Sequence, residues 1–216
     1  MLLRPVVYDG GMQRLLAPGD ILAGFEPTLP ATDTTVTLSY TAAMLLTPTY
    51  VRNPGGASTD TFPTADQLIS TLMSGLGMTG VPVGLSFRWK VVNLAAFLLT
   101  GAVTANTGAT MVRGNVLAST TKDFLVQVTN GTPLRSVTNI TTTNASAVLS
   151  NLGATDLANL SIGMVVTNAV AGQQGNTIIA INMTAGTITM SGNSNATATG
   201  NTFTFSPAYT ITGLGA

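Results

Sequence analysis

The clearest strand signal in this 216-residue sequence is Leu85-Ser86-Phe87-Arg88-Trp89-Lys90-Val91-Val92, in which apolar and polar residues alternate before the run becomes apolar. Successive side chains of a β-strand point to opposite faces of the sheet, so this alternation predicts a half-buried strand. The only tryptophan, Trp89, then points away from Arg88 and Lys90. We expect Trp89 in the core and its basic neighbours at the surface; a carbohydrate-stacking platform is the alternative.

Further strand signals lie on both sides of this segment. Alternation predicts strands at 35–40 and 123–129, and in the second of these Phe124, Val126 and Val128 share one face. An apolar run predicts another strand within 95–103. After Ser136, short strand-like runs recur about every ten residues with Gly- and Asn-rich turns between them, which is typical of a small all-β domain. These runs are 162–166, 177–181, 187–190 and 202–205.

One stretch has helical rather than β periodicity. Thr64-Ala65-Asp66-Gln67 fits a capping box, in which Thr64 caps the first turn and Gln67 reaches back to it. Apolar residues then follow at helical spacing, and Gly75 or Gly77 can end the helix. We expect one short helix that covers one end of a sheet, with a possible second helix or turn at 155–160.

The composition is unusual in its lack of charge. Charged residues make up 7% of the chain, against about a quarter in ordinary soluble domains, and the net charge is zero. Few charges lower the desolvation cost of burying large faces between subunits, so we interpret the chain as part of an assembly. A solitary secreted β protein with a neutral polar surface is the alternative. The neutral charge pattern predicts no nucleic-acid or membrane partner, and the apolar run 91–99 is too short for a spanning helix.

Composition shifts divide the chain into three predicted parts: an extended N-terminal arm at 1–30, a β domain at 31–135, and a small C-terminal β domain at 136–216. The arm contains four prolines, which disfavour long helices and central strands, yet it is rich in apolar residues. We therefore predict that the arm lies on another subunit or on a particle surface; an edge strand of the same domain is the alternative. The predicted docking residues are Leu2, Leu3, Val6, Tyr8, Met12, Leu15 and Leu16.

The residue types present exclude most catalytic chemistry. The chain has no His and no Cys, so Ser-His-Asp and Cys-His nucleophiles and ordinary zinc or iron sites cannot be built. Two carboxylates would suffice for glycoside hydrolysis, but Asp60 and Asp66, the nearest promising pair, straddle a turn and a helix start. The G-x-G-x-x-G match at 75–80 follows a helix instead of a strand, so it does not predict a dinucleotide site. We expect no enzyme activity, no cofactor and no metal.

Three groups of residues resemble structural proteins of bacteriophage particles. The opening run, from Arg4-Pro5-Val6-Val7-Tyr8-Asp9-Gly10-Gly11 to Gly19-Asp20, resembles the attachment segment of head-decoration and fibre-type proteins. The middle zone is similar to trimeric jelly-roll modules of cement proteins, head fibres and tail fibres. Its resemblance lies in Thr64-Ala65-Asp66-Gln67-Leu68 and Phe87-Arg88-Trp89-Lys90-Val91-Val92-Asn93, and in the Gly-rich turn before Met111. The third zone resembles a small β module attached to such proteins, through Leu160-Ser161-Ile162-Gly163-Met164-Val165-Val166, Gly175-Asn176-Thr177 and Thr187-Ile188-Thr189-Met190-Ser191.

This resemblance implies a mainly β fold, with a jelly-roll-like β-sandwich, in a homotrimeric virion protein. The leading hypothesis is a capsid decoration or cement protein that binds the major capsid protein on the outer surface of the capsid. The alternative is a tail-fibre or receptor-binding protein whose partner is a host-surface glycan or outer-membrane protein. A polysaccharide depolymerase is a third and weaker alternative, because long β-helix repeats are missing from the sequence.

Overall fold

The structure is a computed structural model that describes the backbone of strands 6–9 and 12–15 and the residues 32–168 and 173–215. The chain divides into two compact units, Met1–Pro30 and Ala31–Ala216. The smaller unit contains a two-stranded antiparallel hairpin of β1 (Val6–Asp9) and β2 (Met12–Leu15). Its register pairs Val6 with Leu15 and Asp9 with Met12.

The larger unit contains thirteen strands and three helices within its described residues. In chain order these are α1 (Ala42–Leu45), β3 (Thr49–Arg52), β4 (Ser58–Thr61), α2 (Ala65–Leu76), β5 (Ser86–Asn93), β6 (Leu99–Ala102), β7 (Ala109–Val112), β8 (Thr121–Asn130), β9 (Arg135–Thr142), β10 (Val148–Ser150), α3 (Ala154–Leu157), β11 (Val165–Asn168), β12 (Gln173–Asn182), β13 (Thr187–Met190), β14 (Ala198–Ser206) and β15 (Ala208–Leu214). The mainly β class predicted from the sequence is confirmed.

Two sheets, built from residues before Arg135 together with the last strand, form one part of the larger unit, which we call the sandwich. One sheet has the strand order β3-β5-β8-β15-β7, and the other pairs β4 with β6. Three of the pairs, β3–β5, β4–β6 and β7–β15, are parallel. Between the sheets lies an aromatic core in which the Trp89 ring contacts Tyr40, Phe62 and Phe124 at centroid distances of 4.9–5.6 Å.

The segments predicted as strands around Trp89 and Phe124 are confirmed as β5 and β8. Trp89 is fully buried and Arg88 is exposed, as the alternation predicts. Phe124, Val126 and Val128 are all buried on one face of β8, where they pack into the same core.

A six-stranded closed barrel forms the second half, with the strand order β10-β13-β12-β11-β14-β9. Its interior is a separate apolar cluster that includes Ile140, Leu149, Ile178, Phe203 and Phe205, and it shares no buried residue with the sandwich core. The chain then returns to the sandwich, because β15 pairs with β8 on one side and β7 on the other. The barrel is therefore an insertion between two neighbouring strands of the first sheet. How far 31–135 and 136–216 fold independently stays a prediction, but the strand Ala208–Leu214 lies with the first of them.

Helix α2 begins and ends where the sequence predicts. Thr64 caps it, the side chains of Thr64 and Gln67 form the capping box, and Gly77 closes it in the left-handed conformation at φ 65°. The short helix or turn predicted at 155–160 is confirmed as α3, a single four-residue turn of helix, whereas the equally short α1 was not predicted.

The strand predicted at 35–40 is wrong. This segment is irregular, and its backbone meets β4 in a single parallel bridge between Ser39 and Thr61, where the Tyr40 amide donates to the Thr61 carbonyl and the Thr61 amide donates to the Leu38 carbonyl. Its backbone is held by side-chain hydrogen bonds: the Thr35 and Leu38 amides donate to Asp33 and Asp60. Hydrogen bonds to the Asp33 and Asp60 side chains therefore replace the strand-to-strand backbone hydrogen bonds that the alternation predicts.

Candidate functional site

The predicted docking residues lie in the N-terminal unit. Val6 and Tyr8 are on β1, and Met12 and Leu15 are on β2. Leu2, Leu3 and Leu16 lie outside the described residues. The hairpin brings Val6 and Leu15 opposite each other along its backbone. Docking of this unit on a partner stays a prediction.

A cluster of exposed apolar side chains lies on two neighbouring loops at one end of the sandwich. The loop after β5 exposes Leu94, Phe97 and Leu98 at 53%, 43% and 39%, and the loop before β8 exposes Leu117 at 61%. Ala96 and Ala118 are also exposed beside them. We call these six residues the apolar loop patch.

Buried Asn93 holds the two loops of this patch together. Its Nδ2 group donates to the carbonyl oxygens of Phe97 at 2.8 Å and Leu117 at 2.9 Å, while its Oδ1 accepts from the Ala95 amide at 3.0 Å. The Ser119 amide also donates to the Ala95 carbonyl at 2.9 Å. Because Asn93 is only 1% exposed, this network is shielded from competing water. The patch is therefore a pre-ordered surface.

A buried ionic cluster adjoins this patch between β3 and β4, since Arg52 of β3 pairs in register with Asn93 of β5. Arg52 donates two hydrogen bonds of 2.8 Å to the Asp60 carboxylate, one from Nε and one from a terminal nitrogen. Its other terminal nitrogen contacts the Asp33 carboxylate at 3.0 Å. The Arg52 and Asp60 side chains are 0% and 3% exposed, so this ion pair is almost fully removed from water. Tyr40 completes it by donating its hydroxyl to Asp60 at 3.0 Å.

These contacts shift the pKa values of the surrounding groups. Burial acts to raise the pKa of Asp33, but hydrogen bonds from Thr35 and Tyr50 and the charge of Arg52 outweigh it and hold that pKa below its ordinary value. Burial and the neighbouring Asp60 raise the pKa of Tyr40. Burial acts to lower the pKa of Arg52, but its contacts with Asp60 reverse the direction. The pKa shifts of Asp33 and Arg52 both favour the charged forms that make their ion pair.

An open groove of about 710 Å³ lies beside the N-terminal ends of α1 and α2. One wall is the polar face of α2, with Thr64, Gln67, Ser70 and Thr71, and the other includes Ser39 and Thr41. Asp66 is the single charged residue in its lining. Hydroxyl and amide groups of this density can hydrogen-bond an uncharged polyhydroxylated molecule.

Within 32–168 and 173–215, no group of three or more metal-ligating acidic side chains is brought together. None of the helices in the described part of the chain is long and apolar enough to cross a membrane. Asp60 and Asp66, the carboxylates considered for hydrolysis, have different environments: Asp60 is locked to Arg52, and Asp66 lies in the first turn of α2.

Comparison with known proteins identifies no relative of this chain. No protein-family model, no curated protein and no solved structure matches it.

Sequence reasoning missed both Asn93 and the Arg52–Asp60 pair. The sequence did contain one signal for Asn93, since it is the polar residue that interrupts the apolar run 91–99. Arg52 and Asp60 lie eight residues apart on strands of different sheets, so their pairing depends on the tertiary fold.

Proposed function

We propose that this chain is a structural protein of a bacteriophage particle that decorates the outer surface of the capsid by binding the major capsid protein as a trimer. The observation that supports it most is the separate N-terminal unit Met1–Pro30. Thirty residues without cysteine cannot bury a sufficient core, and an isolated hairpin is at best marginally stable in water. An apolar unit of this kind gains its stability from a partner surface, which in this proposal is the capsid.

In this proposal the two-sheet sandwich is the trimerising module. Its double-sheet construction is like that of a jelly roll, although its three parallel strand pairs differ from the antiparallel pairing of that fold. The barrel, which carries Asp156 as its single charged residue between Ser136 and Ser206, would project outward or reinforce contacts with neighbours. Many copies bound at once would multiply a modest affinity per copy by avidity.

Deletion of residues 1–24 is expected to leave a folded oligomer that no longer binds capsids. Even three buried apolar side chains, at about 1.5 kcal/mol each, would account for a loss in affinity of about a thousandfold. The measurement is co-sedimentation with capsids that lack the protein, with light scattering to confirm the oligomer. As a matched control, alanine at Arg14 of β2, which pairs with Val7, is expected to preserve binding, whereas serine at Val6, Tyr8 and Leu15 is expected to abolish it. Retained capsid binding by the truncated chain would sink the proposal.

A second candidate function is supported by the groove beside α1 and α2. Its volume falls within the range of small-molecule sites, and its hydroxyl-rich lining suits a neutral glycan on a host surface. This corresponds to a tail-fibre or receptor-binding protein.

A Ser70→Trp substitution tests the glycan site, because the indole would fill the groove. We expect adsorption of the purified protein to host cells to fall at least about tenfold, which corresponds to roughly 1.4 kcal/mol. Ser74→Trp is the matched control, since Ser74 is exposed one helical turn further along α2 and does not line the groove. Equal adsorption by both variants would remove the groove from consideration.

A further inference from the structure

Asp66 is an isolated negative charge in the groove beside α1 and α2. No other residue that lines the groove, within the described part of the chain, carries a charge. The ion pairs among the described residues have Asp33, Asp60 and Asp123 as their acidic partners, so no basic side chain there pairs with Asp66. A molecule that enters the groove therefore meets a carboxylate whose charge no neighbouring cation offsets.

The other polar groups of the groove are arranged as hydrogen-bond donors. The hydroxyl oxygens of Thr41 and Thr64 accept from backbone amides at the starts of α1 and α2, at 3.3 and 3.2 Å. The Ser39 hydroxyl oxygen accepts from the Thr61 hydroxyl at 2.9 Å. The three hydroxyls of Ser39, Thr41 and Thr64 donate to no other residue in 32–168 or 173–215, so their protons can be given to a ligand.

Gln67 adds a further donor to the same wall. Its side-chain oxygen accepts from the Thr64 amide at 2.9 Å, which leaves its amide nitrogen to donate. Asp66, which lies between these two residues in the first turn of α2, has a carboxylate that can only accept. The groove thus offers several donors and one charged acceptor.

We propose that this groove selects uncharged sugars and excludes acidic ones, and that Asp66 is the residue that sets this specificity. A sugar hydroxyl can both donate to the Asp66 carboxylate and accept from the neighbouring hydroxyls, so an uncharged sugar satisfies both kinds of group. An ionised uronic acid, phosphate or sulfate group can only accept, and its charge is repelled by Asp66. The inference rests on the second candidate function, in which this groove binds a host glycan.

The size of the discrimination follows from the repulsion between like charges. Two unit charges a few Å apart near a protein surface repel strongly enough to change an affinity about tenfold. Salt screens this repulsion, because the Debye length falls from about 30 Å at 0.01 M to about 3 Å at 1 M ionic strength. The preference for uncharged sugars is therefore expected to be largest at low salt.

The test measures binding of the purified full-length chain to an array of bacterial polysaccharides, in which pairs differ only by a uronic acid or phosphate group. The wild type is expected to bind acidic members about tenfold more weakly than their neutral counterparts. Asp66→Asn keeps the size of the side chain and removes its charge, so the ratio of acidic to neutral binding is expected to rise about tenfold. Asp156→Asn is the matched control, since Asp156 also lies in the first turn of a helix, α3, but does not line the groove. This control is expected to keep the wild-type ratio.

A salt titration of the wild type covers the case in which Asp66→Asn disturbs α2. The preference for neutral glycans is expected to shrink as salt is added. Equal binding of paired neutral and acidic glycans, an unchanged ratio in a folded Asp66→Asn variant, or a preference that salt does not alter overturns the proposal. If Ser70→Trp still abolishes binding after such a result, the groove remains the glycan site and only the role of Asp66 is lost. Absence of binding to every glycan overturns the proposal and the second candidate function together.

Discussion

Replacing Asp60 with alanine is expected to lower the free energy of unfolding by about 3–5 kcal/mol, the cost of removing one partner from a buried ion pair. The Arg52 guanidinium is fully buried, and two of its hydrogen bonds end on Asp60. Without the Asp60 carboxylate, Asp33 is the one acidic group still paired with the Arg52 guanidinium. The Tyr40 hydroxyl also loses its hydrogen-bond acceptor. For a protein of this size each kcal/mol shifts the melting temperature by about 2–4 °C, so a drop of roughly 6–20 °C is expected in thermal denaturation.

Asp123→Ala is the matched control for this prediction. Asp123 also pairs with a basic residue, Lys90, but at 3.9 Å and with both side chains 44% exposed. Surface pairs of this kind contribute about 0–1 kcal/mol, so the control should melt close to the wild type. Equal melting temperatures for the two aspartate variants would contradict the prediction, because burial would then not increase the contribution of the Arg52–Asp60 pair to stability.

Excision of the barrel is the second change with a large expected effect. Replacing residues 132–207 with Asn-Gly is expected to yield a folded, cooperative sandwich that lacks the whole second core. Asn130 and Ala208 are paired across β8 and β15, so Gly131 with the two new residues would form a short hairpin loop of a common type. Retaining Gly131 preserves its hydrogen bond with the Val81 amide.

The expected cost of this excision is on the order of 2–5 kcal/mol, because a few neutral hydrogen bonds between the barrel and the sandwich are lost. Asn130 donates to the Ser161 hydroxyl and to the Ile162 carbonyl, and the Thr167 hydroxyl donates to the Asn106 carbonyl. Native burial of Trp89, read from its fluorescence, and a single thermal transition are the measurements. An unfolded product would mean that the two cores form one cooperative unit despite sharing no residue.

Local patterns in the sequence were sufficient where neighbours along the chain determine the structure. The capping box of Thr64 and Gln67 requires only residues three apart, and it predicted the start of α2. The alternation around Trp89 and Phe124 predicted β5 and β8, because both strands bury one face against a single core. In these places propensity, pattern and packing agree.

The features that the sequence did not reveal depend on residues far apart in the chain. The segment 35–40 alternates like a strand, but Asp33 and Asp60 capture its amides. The role of Asn93 could not be read from the apolar run that contains it, because it depends on a hydrogen bond to the Leu117 carbonyl, 24 residues away. Neither the strand Ala208–Leu214 nor its return to the sandwich was predicted, because its pairing joins residues far apart in the chain. The trimer, the capsid partner and the virion location stay predictions from resemblance.

The position of β15 has a consequence for the order in which the molecule can fold during synthesis. β15 lies between β8 and β7, yet it leaves the ribosome only after every strand of the barrel. Until then β7 has no neighbour in its sheet, and the sandwich core lacks Tyr209 and Ile211. All strands of the barrel, in contrast, are contiguous in the chain between Arg135 and Ser206. The barrel can therefore close without any later part of the chain, and we expect the long-range pairing of β7 with β15 to make closure of the sandwich the slow final step.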